Sequence, residues 1–177
     1  NVGHEERATE LVIGLHRKSN VVDTFYGAMI EQLLKATNKM ILMSRCFIPV
    51  DTVSRIIVAV PEKAEFETGF KLWVMRVANL GAQVAARLVF IAYPATDEFI
   101  RNVINEGGVE VRHDYRTMDT WDDFILLSSE VEEDDLLIVV AARKGSISYS
   151  ADLESLPVFL GRHFTRHNLL VIYPRQY

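Results

Sequence analysis

The sequence holds a single cysteine, Cys46, so no disulfide can form within the chain, and a reducing compartment is the natural expectation. It also lacks any uninterrupted apolar stretch near the roughly 18 residues that signal a membrane-spanning helix. Its most apolar region, Leu80 to Tyr93, is short and interrupted by Gln83 and Arg87. No signal-peptide pattern opens the chain, so the cytoplasm is the expected location of this segment. Positive charge is scarce too. A net charge of −5 leaves no sequence-wide field to attract a polyanion, and nucleic acid is not an expected partner. The phosphate loop of ATPases, the zinc-protease His-Glu-x-x-His and the hydrolase Gly-x-Ser-x-Gly are all missing, and no catalytic constellation replaces them. The expectation is a protein that is not an enzyme. What the chain does have is 49% hydrophobic and 24% charged residues, a balance that folds into a cored domain rather than remaining disordered.

From Val53 onward, apolar runs of strand length alternate with helix-length amphipathic segments, the pattern of parallel strands joined by helical crossovers. The strands are expected at Arg55–Val60, Ala86–Ala92, Val109–His113, Leu136–Ala141 and Leu169–Tyr173. Five such strands fit one doubly wound, mostly parallel α/β sheet. Between them, helices are expected over Glu65–Leu80, with Gly81 as its stop, over Asp97–Asn105, from a cap at Asp119 or Thr120 through Leu127, and over Leu153–Thr165. Pro157 suits a first helical turn, which argues for a later start of the last helix, near Ser155.

The first fifty residues repeat the pattern of the last forty or so. Glu10-Leu-Val-Ile-Gly-Leu-His-Arg17-Lys18-Ser19, a helix through Leu34 and Met40-Ile-Leu-Met-Ser44-Arg45 run parallel to Asp135-Leu-Leu-Ile-Val-Val-Ala-Ala-Arg143-Lys144-Gly145, a helix and Leu170-Val-Ile-Tyr-Pro174-Arg175. Strand, Arg-Lys turn, helix, strand recurs. Only sixteen residues precede the first Arg-Lys turn. Residues 1–50 therefore read as the carboxyl part, strand-helix-strand, of a first copy, and 51–177 as a complete second copy, within a longer tandem polypeptide.

The strand and helix order of the second copy resembles a universal stress protein domain, of the adenine nucleotide alpha hydrolase-like class. That family carries a nucleotide motif after its fourth strand: Gly-x-x-Gly, nine residues, then Gly followed by Ser or Thr. In the first copy Gly14 and Gly27 stand at the outer positions, while Arg17 takes the middle glycine and Ala28 the hydroxyl residue. In the second copy Val140 and Arg143 fall where glycines are expected, leaving Lys144, Gly145 and Ser146. Pro61 stands where many nucleotide-binding members place an acid. The segments Gly14-Leu-His-Arg-Lys through Asp23-Thr-Phe-Tyr-Gly27, and Ala142-Arg-Lys-Gly-Ser through Leu156-Pro157 to Val171-Ile-Tyr-Pro174, resemble the tandem stress-protein region that follows the membrane part of bacterial sodium or potassium/proton antiporters.

That resemblance implies a non-catalytic regulatory or interaction region on the cytoplasmic face of the inner membrane, partnered by the membrane part of its own polypeptide and by further copies of itself. It implies no fixed cofactor. A degenerate site for ATP, AMP or a cyclic dinucleotide would use Gly14, Arg17, Lys18, Ser19, Gly27 and Ala28, or Arg143, Lys144, Gly145 and Ser146. An adenine-nucleotide-binding stress protein is the alternative. The plain reading of both turns is a solvated basic loop. His163 and His167 sit one helical turn apart, but no third ligand accompanies them and Arg162 and Arg166 repel a cation. His113-Asp114 lacks the nucleophile of a triad.

Overall fold

Strands that are apolar on both faces must be covered on both, and the order of elements in this chain supplies that cover. The computed structural model describes residues 10–14 and 28–176. In chain order the elements are β1 (Glu10–Gly14), α1 (Ala28–Ala36), β2 (Met40–Arg45), β3 (Arg55–Ala59), α2 (Phe70–Gln83), β4 (Arg87–Ala92), α3 (Pro94–Gly107), β5 (His113–Thr117), α4 (Trp121–Ser128), β6 (Leu136–Val140), α5 (Asp152–His163) and β7 (Asn168–Tyr173). Short 3₁₀ turns at Val50–Thr52 and Ala64–Phe66 flank β3. All the strands join one sheet in the order β1-β2-β7-β6-β3-β4-β5. The pairing is parallel throughout except between β2 and β7.

Side chains alternate across this sheet and feed two cores. On one face Ile56, Val58, Leu88, Phe90 and Ile138 meet Phe70, Trp73 and Val77 of α2 and Ile100 and Ile104 of α3. On the other, Ile57, Val89, Leu137, Val139 and Val171 meet Ile30 of α1, Phe124 of α4, and Leu156 and Leu160 of α5. Each large apolar side chain buried this way stabilises the fold by roughly 1.5–3 kcal/mol. The five strands from β3 to β7 form the doubly wound α/β sheet expected. The amino-terminal strand-helix-strand widens that sheet to seven strands. At the antiparallel junction Leu42 stands opposite Ile172. In the sequence comparison of the two segments these two residues fall at the same place, and in the sheet each segment offers its closing strand to the other.

Several elements depart from the sequence expectation. The third strand of the complete copy lies at His113–Thr117 rather than Val109–His113. It is an edge strand, so its outer residues are polar, while Val109 and Val111 pack from the preceding loop. Gly81 does not end α2, which runs on to Gln83. A Cβ there would come within 2.9 Å of Leu88 and 3.0 Å of Val111, so this glycine permits close packing. The actual stop is Ala85, in the left-handed region at φ 54°. Ala86 N–H bonds Gly81 O at 2.9 Å and Ala85 N–H bonds Ala82 O at 3.3 Å, the paired bonds of a Schellman end. The first helix of the complete copy begins at Phe70 because Ala64–Phe66 forms its own 3₁₀ turn. Helix α5 begins at Asp152, which leaves Pro157 inside it. The Leu153 carbonyl therefore has no amide donor four residues on.

Because Ala85 is exposed and held at positive φ, Ala85→Gly is expected to raise unfolding stability by about 1 kcal/mol. Urea denaturation checks this, and an unchanged or lower midpoint would contradict the helix-end geometry.

Candidate functional site

The expected anion site after residue 50 is the turn after β6, where Arg143 and Ser146 are already engaged. Arg143 is only 7% exposed. It crosses to the end of α1, where its Nη1 donates to the carbonyls of Leu34 and Thr37 at 2.8 and 2.6 Å, and its Nη2 to that of Lys39 at 2.7 Å. The last carbonyls of a helix have no partners within it and lie at its negative end, so a guanidinium is well matched to them. Burial pulls the Arg143 pKa below its ordinary value, and no carboxylate pairs with it among the described residues. Its Nε–H has no acceptor among the described residues. Gly145 turns the loop at φ 86°, and the Ser146 hydroxyl donates back to Arg143 O at 2.7 Å. Lys144 remains exposed.

A reciprocal contact ties the other half. Arg45, at the end of β2 and 5% exposed, donates from Nη2 to Phe164 O at 2.6 Å, the capping residue of α5. The fully buried Asn168 accepts from the Phe47 and Ile48 amides at 2.6 and 3.1 Å and donates to Ile48 O at 2.9 Å, fixing the segment after β2. The sequence reading missed both Arg45 and Asn168. Arg45 was visible in the repeat as the partner of Arg175, but its acceptor is a backbone atom that carries no sequence signal. Of the first-copy candidates, Gly14 ends β1, exposed and with open space where a Cβ would lie. Ala28 begins α1, and Arg17, Lys18, Ser19 and Gly27 lie outside the described residues.

Doubly wound sheets bind ligands at the carboxyl ends of their strands, where the winding reverses, here between β3 and β6. That edge is filled by acids. Glu67 accepts from both the amide and the hydroxyl of Ser148, at 2.9 and 2.7 Å, occupying donors that could otherwise meet an anion. Beside it Glu65 accepts from the Thr96 hydroxyl at 2.7 Å, and Asp97 from that of Thr117 at 3.1 Å. The other Asp97 oxygen is buried without a partner. Burial raises the Asp97 pKa to about 6, against the opposing pull of Thr117 and Arg101. Glu67, which holds the loop donors, and Glu65 near it oppose a polyphosphate at the crevice.

Arg143 and Lys144 also border a cavity of about 430 Å³ between α1 and α5. A second hollow, of about 180 Å³, is lined by Arg55, Arg87 and Arg116. Their charges are met by Asp135, Asp114 and Glu130 at 2.5, 3.4 and 3.5 Å, so it offers no surplus charge. Among the described residues no three His, Cys, Asp or Glu side chains converge on a possible metal site. His163 and His167 instead pack on Phe159 and Phe164, each with ring centroids 4.8 Å apart.

No protein-family model and no curated protein sequence matches this chain. Solved structures do. A universal stress protein from Archaeoglobus fulgidus DSM 4304 superposes with a TM-score of 0.52 at 12% identity, covering 99% of this chain and 63% of its own. The fold is universal-stress-protein-like. A functionally unknown protein from Pseudomonas aeruginosa PAO1 gives 0.54 at 12% identity, covering 96% of this chain and 64% of its own. A candidate universal stress protein from strain UCBPP-PA14 gives 0.53 at 13% identity, covering 96% and 65%. The chain thus spans slightly less than two thirds of each of these stress-protein-like structures.

Two measurements probe the site. Arg143→Met is expected to lower unfolding stability by about 3 kcal/mol, with Arg143→Lys recovering less than half, because one ammonium cannot span three carbonyls. Equal stability of the three proteins in urea would remove the arginine as a tie between halves. A folded-state pKa for Asp97 near 6, above the ordinary 3.8, means that the folded state binds the proton more tightly. Stability is expected to fall as pH rises from about 4 to about 6 and then to level off. Asp97→Asn should abolish that slope in pH-dependent melting.

Proposed function

We propose that the chain is a non-catalytic regulatory and assembly region of a bacterial cation/proton antiporter, lying on the cytoplasmic face of the inner membrane. The observation that carries the non-catalytic, interaction-based part is the use of the site residues: Arg143 joins two halves of one sheet, and Glu67 occupies the Ser148 donors at the crevice. The antiporter context rests on the resemblance of the Gly14–Gly27 and Ala142–Pro174 segments to the tandem region of those transporters. None of the described helices is long and apolar enough to cross a membrane, so transport itself would belong to another part of the polypeptide.

Assembly with further chains is part of this reading. Among the described residues β1 is bonded on one side only, and Val12 on it is 62% exposed. Its repeat equivalent, β6, is flanked on both sides, by β7 and β3. An open edge with an exposed apolar residue favours pairing with another strand. Light scattering is expected to show a dimer or larger form, and Val12→Lys to shift it toward monomer. A strictly monomeric wild type at high concentration contradicts this part of the reading.

The alternative, an adenine-nucleotide-binding stress protein, is favoured only by the fold and by the exposed Lys144. Calorimetric titration with ATP, AMP and a cyclic dinucleotide is expected to give no heat of binding with this chain. Micromolar binding would replace the regulatory reading with the nucleotide one. In proteoliposomes, removing this region from the full polypeptide should leave cation/proton exchange intact but alter its control.

A further inference from the structure

The cavity between α1 and α5 lies over the carboxyl ends of β6 and β7, and both halves of the chain build it. Its walls are apolar in large part, with Leu34 from α1, Leu153, Leu156 and Pro157 from α5 and Ala141 and Ala142 at the floor, and Asn38, Tyr149, Tyr173 and Gln176 add polar groups. At about 430 Å³ it falls within the range of small-molecule sites. Its charge is unbalanced. Arg143, Lys144 and Lys35 border it, against the single acid Glu31.

Arg143 is the decisive group. It is 7% exposed, lacks a carboxylate partner among the described residues and bonds only neutral carbonyls through its Nη atoms. Its Nε–H is buried without an acceptor among the described residues, so the cation is held by neutral groups alone. A carboxylate in the cavity supplies the missing negative charge beside this guanidinium. With Arg143, Lys144 and Lys35 set against Glu31, the surplus of positive charge is small, and a monoanion matches it better than a polyphosphate.

We propose that this cavity binds a small organic carboxylate with a flat apolar body, its carboxylate on Arg143 and the two lysines and its body between Leu34 and the Leu153–Pro157 turn. Binding here requires nothing of a membrane partner, so its failure and the failure of the antiporter reading are separate outcomes.

The test is a fluorescence titration of the whole chain with naphthoate and its neutral, nearly isosteric amide, naphthamide. Naphthoate is expected to bind one per chain and at least about tenfold more tightly than naphthamide, a difference that charge-assisted bonding can supply. Lys35→Ala combined with Lys144→Ala should narrow that preference to about threefold or less, since both lysines are exposed and their loss leaves the fold intact. Leu153→Trp, at a half-buried wall position, should fill the cavity and abolish binding of both compounds while the melting curve stays cooperative. Amide shifts on naphthoate addition should centre on Leu34, Ala142 and Leu153. No binding of naphthoate, equal affinity for acid and amide, or binding unaffected by Leu153→Trp would each overturn the proposal.

Discussion

Two helices end over the line where the halves of the sheet meet, and the bonding of their last carbonyls governs that junction. A helix terminus buried without donors is unstable. Here each half supplies the missing donor to the other: Arg143 to the end of α1 and Arg45 to the end of α5. The antiparallel pairing of β2 with β7 makes the exchange possible, because it brings each closing strand beside the partner half's helix end. Strand pairing alone would tolerate a shifted register or a different partner. A guanidinium fork aimed at two or three carbonyls does not, so the arginines select this one arrangement.

The same allocation determines what the carboxyl edge of the sheet can do. With Arg143 turned toward the junction, the loop after β6 keeps Ser148 as its donor into the crevice, and Glu67 already bonds it. A fold whose solved relatives include a universal stress protein therefore carries at this edge an acid of its own, with Glu65 and Asp97 alongside. Fold likeness does not transfer a ligand when the groups that would hold it are bonded elsewhere.

How far the sequence reached depends on where physical signals are local. Strands β3, β4, β6 and β7 were legible because, covered on both faces, each reads as an unbroken apolar run. The edge strand β5 was not, since its polar outer residues look like a loop and the nearby apolar pair Val109 and Val111 drew the expectation four residues too early. Gly81 was read as a stop because most helix-end glycines are, yet its meaning lies in contacts with Leu88 and Val111 that only the packed structure contains. The Arg-Lys turn stood out in the repeat. Its task was invisible, because Arg143 bonds backbone carbonyls 104 to 109 residues away, and a backbone carbonyl looks alike in every sequence.

The junction and the cavity beside it depend on one side chain. The Nη atoms of Arg143 hold the end of α1, while its Nε, buried and unpartnered among the described residues, belongs to the same delocalised cation. An anion placed beside Arg143 polarises the whole guanidinium and so changes the strength of its bonds to α1. It also touches both halves at once. A ligand shifts a conformational equilibrium only by the difference in its affinity for the two states, and a carboxylate gripped between α1 and α5 has full contact only when the halves are docked. Docking and occupancy are therefore linked through Arg143: whatever fills the cavity favours the joined sheet, and whatever parts the halves empties the cavity.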